Sequence, residues 1–290
     1  MLNNASLYRS PDGYQAMMRT YRAQLATWPV PFQELTLQTR FGPTHALVSG
    51  PEEATPLILL HGLAANALIW RPNIAALSRH FRTIALDIIG DAGMSAPTRP
   101  STQGRGYCDW LCDVLDALDL QRANIVGISL GGWLALKLAI HAPERVAGLL
   151  LLCPAGLVPY RLSFALRAIG VTLFPREATI EDIARVLSAP KCKLPPEDYE
   201  LLALSLRYHR SKMVPLLPLA AADLNTIQAP TALLVGEHDC IFDAVAMVER
   251  ARQTIPNIEA RVVPDAGHAL NSDQPAVVHE QTLAMFGSVH

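Results

Sequence analysis

The chain has 290 residues and a mass of 31.6 kDa, enough to bury a large core as one α/β domain with an insertion. Its 24 Lys and Arg against 26 Asp and Glu leave a formal charge of −2 with no basic run, which argues against nucleic acid as a partner. Half of the residues are hydrophobic, yet the longest apolar run, 146–158, is broken by Pro154 and is too short to cross a bilayer.

No apolar run follows Met1-Leu2-Asn3-Asn4, so no secretory leader is expected. Ser10-Pro11-Asp12 reads as a helix start, with Ser10 as N-cap and Pro11 in the first turn. Tyr14, Met17, Met18, Tyr21, Leu25 and Trp28 then keep helical spacing, which predicts an N-terminal helical extension over 1–31 lying on the main body. Residues 34–40 and 44–49 alternate as two antiparallel strands joined by Phe41-Gly42-Pro43. From Pro56 the rhythm becomes buried strands separated by helices, the pattern of a parallel sheet. Strands are expected at 57–60, 81–86, 124–128, 146–152, 231–235 and 258–263. Helices are expected over 107–118 and 133–140, and starting at Phe242 and Gln274.

The rhythm breaks between 157 and 223. That segment holds helical stretches, seven prolines and no convincing strand, and it is too long for a plain connection. An inserted helical cap over 157–223 is expected, with the core formed by 1–156 and 224–290. The five cysteines are odd in number and lack a framework spacing. Cys108 and Cys112 lie one helical turn apart with no histidine or further cysteine to complete a metal site. Packed, reduced thiols and a cytoplasmic setting are the expectation.

The stretch Asn124-Ile125-Val126-Gly127-Ile128-Ser129-Leu130-Gly131-Gly132 carries the chemistry. A β-branched strand turns into an apolar helix within a few residues, with Ser129 at the tip and glycines where a Cβ would collide. This is the G-x-S-x-G elbow that lifts a serine hydroxyl above a sheet. The Leu130 N–H falls at a helix N-terminus, where unpaired donors and the helix dipole favour a negative oxygen. A serine needs a base, and the base needs an orienting acid, both at strand ends in a parallel sheet. Gly236-Glu237-His238-Asp239 follows one strand and Ala266-Gly267-His268 the next. Ser129, Asp239 and His268 therefore occur in the order nucleophile, acid, base. Glu237, Asp243, Asp87 and Asp91 are rival acids: Glu237 should still track the strand end, and Asp243 should fall in the first turn of the next helix. Among the other histidines, His61 is expected to shape the Gly62-Leu63 turn rather than take a proton.

His61-Gly62, the Gly127–Gly131 elbow, Gly236-x-x-Asp239 and Gly267-His268 resemble the α/β-hydrolase fold superfamily over nearly the whole chain. Asp87-Ile88-Ile89-Gly90-Asp91-Ala92-Gly93-Met94-Ser95 has one residue more than the D-x-x-G-x-G-x-S of many members. With the Ser10-Pro11 helix and Asp109-Trp110-Leu111, that variant looks most similar to bacterial carboxylesterases of the naproxen-esterase kind. The resemblance implies a mostly parallel eight-stranded sheet flanked by helices and an oxyanion hole from the Leu63 and Leu130 amides. It also implies cofactor-independent hydrolysis of a small or medium carboxylic ester, with no metal. A C–C bond hydrolase or perhydrolase on the same triad, or a small-molecule receptor with a vestigial triad, are the alternatives. The cap has arginines but no tryptophan, unlike many meta-cleavage hydrolases. Oligomeric state is not legible.

Overall fold

A computed structural model describes residues 5–211 and 216–287. Eight strands form one sheet: β1 (Gln33–Leu37), β2 (Thr44–Ser49), β3 (Pro56–Leu60), β4 (Arg82–Leu86), β5 (Ala123–Ile128), β6 (Val146–Leu152), β7 (Thr231–Gly236) and β8 (Glu259–Val263). Their order is β1-β2-β4-β3-β5-β6-β7-β8, with β2 antiparallel to both β1 and β4 and every other pairing parallel. The interior strands lie beneath helices on both faces, which is why they read as continuous apolar runs rather than alternating ones. Leu149, Leu150, Leu151 and Leu152 of β6 are all closed to solvent, each contributing about 1.5–3 kcal/mol of apolar burial.

The helices of the core are α1 (Pro11–Leu25), α2 (Arg71–Leu77), α3 (Gly106–Ala117), α4 (Leu130–His141) and, beyond the insertion, α9 (Ala244–Thr254), α10 (Leu270–Asp273) and α11 (Pro275–Phe286). Between β6 and β7 lie α5 (Leu162–Leu173), α6 (Glu177–Leu187), α7 (Pro196–Tyr208) and α8 (Ala221–Leu224), with no strand among the described residues of that segment. Helices α2 and α11 pack on each other in one layer, and α3, α4, α8 and α9 share the other. Helix α4 is apolar nearly all round because it is buried on nearly every side.

Several boundaries differ from the sequence expectation. Helix α1 stops at Leu25 rather than near Trp28, and the Arg71 guanidinium binds the Gln24 and Thr27 carbonyls at its end. It starts as read, with the Ser10 hydroxyl accepting the Gly13 N–H at 3.1 Å. The helix does not lie on the main body alone: it packs along α7, and its Tyr21 reaches into the sheet. Strand β1 ends at Leu37, not at 40, because Thr39 and Gly42 close a turn. Helix α9 begins at Ala244, not at Phe242. Asp243 is its N-cap, accepting the Ala246 N–H at 3.0 Å.

Helices α5, α6 and α7 enclose a small apolar cluster of their own around Val171, Ile180 and Ile183. The outer face of α5 is apolar as well. Leu162, Leu166, Ile169 and Leu173 follow helical spacing at exposures from 56 % for Ile169 to 74 % for Leu162. No helix among the described residues is long and apolar enough to cross a membrane, and all five cysteines are free.

Candidate active site

Strand β5 turns into α4 through Ser129, whose backbone adopts φ 54° and ψ −112°. That region is rare for a residue with a Cβ and stores about 1–3 kcal/mol of strain. The surroundings hold it there. The Ser129 N–H donates to the Leu152 carbonyl at 2.9 Å, and its own carbonyl accepts the Trp133 and Ala155 N–H groups at 3.0 and 3.1 Å. A Cβ on Gly131 would strike the Leu60 carbonyl, and one on Gly127 would strike Gly131, so the close passage of α4 over β3 and β5 requires both glycines. Ser129 and Leu130 remain half-buried and reachable from solvent.

The loop after β7 carries Asp239 and the loop after β8 carries His268, both buried. Asp239 Oδ2 lies 2.9 Å from His268 Nδ1. Its Oδ1 accepts the Ile241 and Phe242 N–H groups at 2.7 and 3.1 Å. Burial alone would raise the Asp239 pKa. The charge and hydrogen bond of His268, with the two amides, outweigh it and hold the carboxyl below its ordinary value. The His268 loop folds back over the end of β7: the Gly267 carbonyl approaches Cys153 Sγ, at the end of β6, at 3.9 Å. It is fixed on both flanks, since Gly267 N–H donates to Asp273 Oδ2 at 2.7 Å and Ala269 N–H to the Leu187 carbonyl of α6 at 2.9 Å. The Phe242 ring packs tilted against His268, and the Tyr160 ring against Phe242 in turn.

The rival carboxylates sit elsewhere. Glu237 and Asp243 are exposed, Asp243 as the α9 cap and as partner of Arg161. Asp87 is buried but saturated: it accepts from Tyr21 Oη, Ala67 N–H and Met94 N–H and pairs with His45 Nδ1 at 3.0 Å. Asp91 receives the Ala64 N–H. Of the five, Asp239 is the one in contact with His268.

The loop after β3, His61 to Ala67, is bound to the loop after β4. His61 Nε2 accepts the Ile88 N–H at 2.9 Å, so Nδ1 carries the proton and donates to the Gly62 carbonyl at 2.7 Å. Burial lowers the His61 pKa and keeps the ring neutral. This is the turn-shaping role expected of it. Gly62 packs against Ser129, with room for a Cβ 3.5 Å from the serine Cβ, which brings the following Leu63 near the serine. Among the described residues no acceptor takes the Leu63 N–H, and its side chain is partly exposed.

Cys153 escaped the sequence reading, although its place at a strand end was a usable signal. Its Sγ, an Asp239 oxygen and a His268 nitrogen lie within 4.8 Å of one another. Burial first, and then the Asp239 charge, raise the thiol pKa well above its ordinary value. The set therefore favours a protonated thiol accepting the Gly236 N–H at 3.4 Å over a thiolate ligand. Asp273 had no sequence signal, because its two amide partners, Gly267 and Ala189, come from different parts of the chain.

An eight-stranded sheet in this order, with a strained serine at the turn after β5 and an Asp–His pair after β7 and β8, defines an α/β hydrolase. Residues 57–281 match the model of the alpha/beta hydrolase family, and the chain belongs to that family. It is 34 % identical over 294 residues to the uncharacterized carboxylesterase nap of Bacillus subtilis, covering 99 % of this chain and 97 % of that one. It is 31 % identical to carboxylesterase YbfK of the same organism, covering 98 % of each. The crystal structure of naproxen esterase (carboxylesterase NP) from Bacillus subtilis superimposes with a TM-score of 0.88 at 32 % identity, over 96 % of this chain and 100 % of that one.

Proposed function

We propose that the protein hydrolyses small or medium carboxylic esters through an acyl-enzyme formed on Ser129, with no cofactor. The observation that carries this reading is the Asp239–His268 hydrogen bond at the strand ends beside a strained, solvent-reachable serine. The relatives' names as carboxylesterases support the class of reaction.

In this mechanism His268 Nε2 takes the Ser129 proton while the hydroxyl oxygen attacks the ester carbonyl. Asp239 holds Nδ1–H, fixing the tautomer and stabilising the imidazolium that forms. The developing oxyanion faces the Leu63 and Leu130 amides, the second at the N-terminus of α4. His268 then donates its proton to the leaving alcohol, and a water repeats the sequence on the acyl-enzyme. Loss of one oxyanion donor in such a site removes about 3–4 kcal/mol of transition-state stabilisation. Segment 157–223 serves as a cap that sets selectivity and leaves the chemistry to the core.

A fluorophosphonate probe should label one serine stoichiometrically, with the adduct on Ser129 by peptide mapping. Ser129→Ala should lose turnover of p-nitrophenyl esters. Labelling elsewhere, or full activity in that variant, would sink the reading. A panel that includes a vinylogous diketone separates ester from C–C hydrolysis, and a chain that turns over nothing is the receptor.

A further inference from the structure

The carboxyl of Asp91 is almost completely buried, and its place in the loop after β4 gives it no part in the Ser129–Asp239–His268 chemistry. It nevertheless holds the neighbouring loop. The Ala64 N–H points between its two oxygens, at 3.1 Å from each, and the Ala92 N–H adds a third bond at 2.9 Å. Ala64 itself sits at φ 62°, a left-handed conformation that a residue with a Cβ keeps only when something fixes it. The bond to Asp91 supplies that fixing, one residue from Leu63.

A cover keeps water from this contact. The stretch around Tyr8 pairs with the chain that leaves α7: Arg9 N–H donates to the Tyr208 carbonyl, Arg210 N–H to the Leu7 carbonyl, and the Tyr8 and His209 rings meet edge to face. His209 Nδ1 lies 3.8 Å from Asp91, beyond hydrogen-bonding range, and is occupied by Ser211 Oγ at 2.8 Å. Burial pushes the His209 pKa down to about 3, so the ring is neutral and offers Asp91 no counter-charge.

We infer that Asp91 is a positioning residue for the oxyanion donor: by accepting the Ala64 N–H with both carboxylate oxygens it aims the adjoining Leu63 amide at the carbonyl that Ser129 attacks. The inference rests on the acyl-enzyme reading above. An ionised acceptor makes a stronger bond than a neutral one, and a carboxylate offers acceptors only. An asparagine there would turn an NH2 group toward one of the two amides it must receive.

The carboxyl's charge is also poised. Burial raises the Asp91 pKa to about 7, against the pull of the Ala92 and Ala64 amides and of Arg99, with Asp87 adding repulsion. Among the described residues Tyr8, Tyr107 and His209 are the remaining titratable groups facing it, and Tyr8 and Tyr107, both raised by burial first, stay protonated around neutrality. Below about pH 7 Asp91 takes up a proton, and its hold on Ala64 weakens.

The test combines kinetics with amide NMR on the full chain. Ser129→Ala is run first, since retained activity there would remove the underlying reading and leave nothing to position. In folded Asp91→Asn, kcat should drop on the order of tenfold to a hundredfold with KM nearly unchanged, as expected for a donor displaced by a fraction of an ångström. Phosphonate labelling of Ser129 should slow in parallel. In the wild type the Ala64 amide resonance should titrate near pH 7 together with a limb of kcat, and in Asp91→Asn that titration should vanish. An inactive Ser129→Ala beside an Asp91→Asn with wild-type kcat would overturn the inference, as would equal losses in KM and kcat. Should the asparagine variant fail to fold, the wild-type titration decides: a kcat limb that moves with Ala64 supports the inference, and one independent of it ends it.

Discussion

In β6, Leu149 to Leu152 are closed off from solvent, whereas in α5 Leu162, Leu166, Ile169 and Leu173 stand in it. Both segments are leucine-rich, and they differ in what lies on either side of them. The strand has paired neighbours along both edges and helices over both faces. The helix has α6 against one stripe, with α7 closing the cluster they share, and among the described residues its other stripe stands uncovered. The parallel sheet thus places its apolar residues in a single continuous core, whereas segment 157–223 divides its own between that core, where Leu157, Val158 and Leu201 are buried, a small cluster and an open face. Hydrophobic content therefore says little about where stability resides until the packing partners are known.

If the chemistry belongs to the core, the largest effect should come from Asp239→Asn. The amide favours the wrong imidazole tautomer, and kcat near neutral pH should fall on the order of 10⁴-fold in a folded protein. Asp243→Asn and Asp87→Asn should lose far less. A collapse in one of those two with Asp239→Asn nearly intact would reassign the acid while leaving Ser129 and His268 in place.

Stability should divide the same way. Leu150→Ala in the sheet is expected to lower the free energy of unfolding by about 2–5 kcal/mol, measured by urea titration. Ile183→Ala in the α5–α7 cluster should shift the global transition less and instead speed hydrogen exchange and proteolysis within 157–223. Equal shifts in the global transition would mean that the two regions unfold as one.

A smaller effect concerns the join between them. Helix α1, which packs on α7, is tied to the sheet by a chain of pairs in which buried His45 lies between buried Asp87 at 3.0 Å and exposed Glu34 at 3.0 Å, with exposed Arg22 beyond. Burial lowers the His45 pKa, but the two carboxylates outweigh it and leave it above the ordinary imidazole value. A raised folded-state pKa contributes stability that is full below about 6.5 and is lost as pH rises through the folded value. The wild type should therefore exceed His45→Gln in stability at pH 6, and the gap should narrow toward pH 9. A constant gap across that window would mean that His45 is held neutral.

The smallest change expected is one of selectivity. Leu166→Trp or Ile169→Trp on the open face of α5 should re-rank acyl chain lengths by a few-fold and leave Ser129 labelling untouched. If such changes across the segment never move the ranking, 157–223 is not the cap that sets the substrate.

Much of this architecture could be read before any coordinates, because it is local. Runs such as Leu57-Ile58-Leu59-Leu60 announce buried strands, and Gly127-Ile128-Ser129-Leu130-Gly131 announces a turn too tight for side chains at its glycines. The order of Ser129, Asp239 and His268 follows from strand ends counted along the chain. What stayed hidden depends on contacts between distant segments. Spacing could rank Asp239 above Glu237 and Asp243, but Asp87 was separable only once its four partners were seen. The Asp91–Ala64 bond and the two amides on Asp273 join loops far apart in sequence. The open face of α5 has the same pattern as a buried one, and only the absence of a covering element among the described residues tells them apart.

The backbone at Ser129 carries a thermodynamic signature of use. A left-handed position at a turn is the place where glycine relaxes a chain, and holding a serine there makes the native state less stable than it need be. In a protein that only binds its ligand, that strain would be a standing penalty with no return, and drift toward a relaxed turn would raise its melting temperature. Stability engineering by consensus or computation would be drawn to this same position. The most stable version of this chain is then expected to be one without a side chain at this turn, its melting point raised by the loss of the hydroxyl proposed above as the nucleophile.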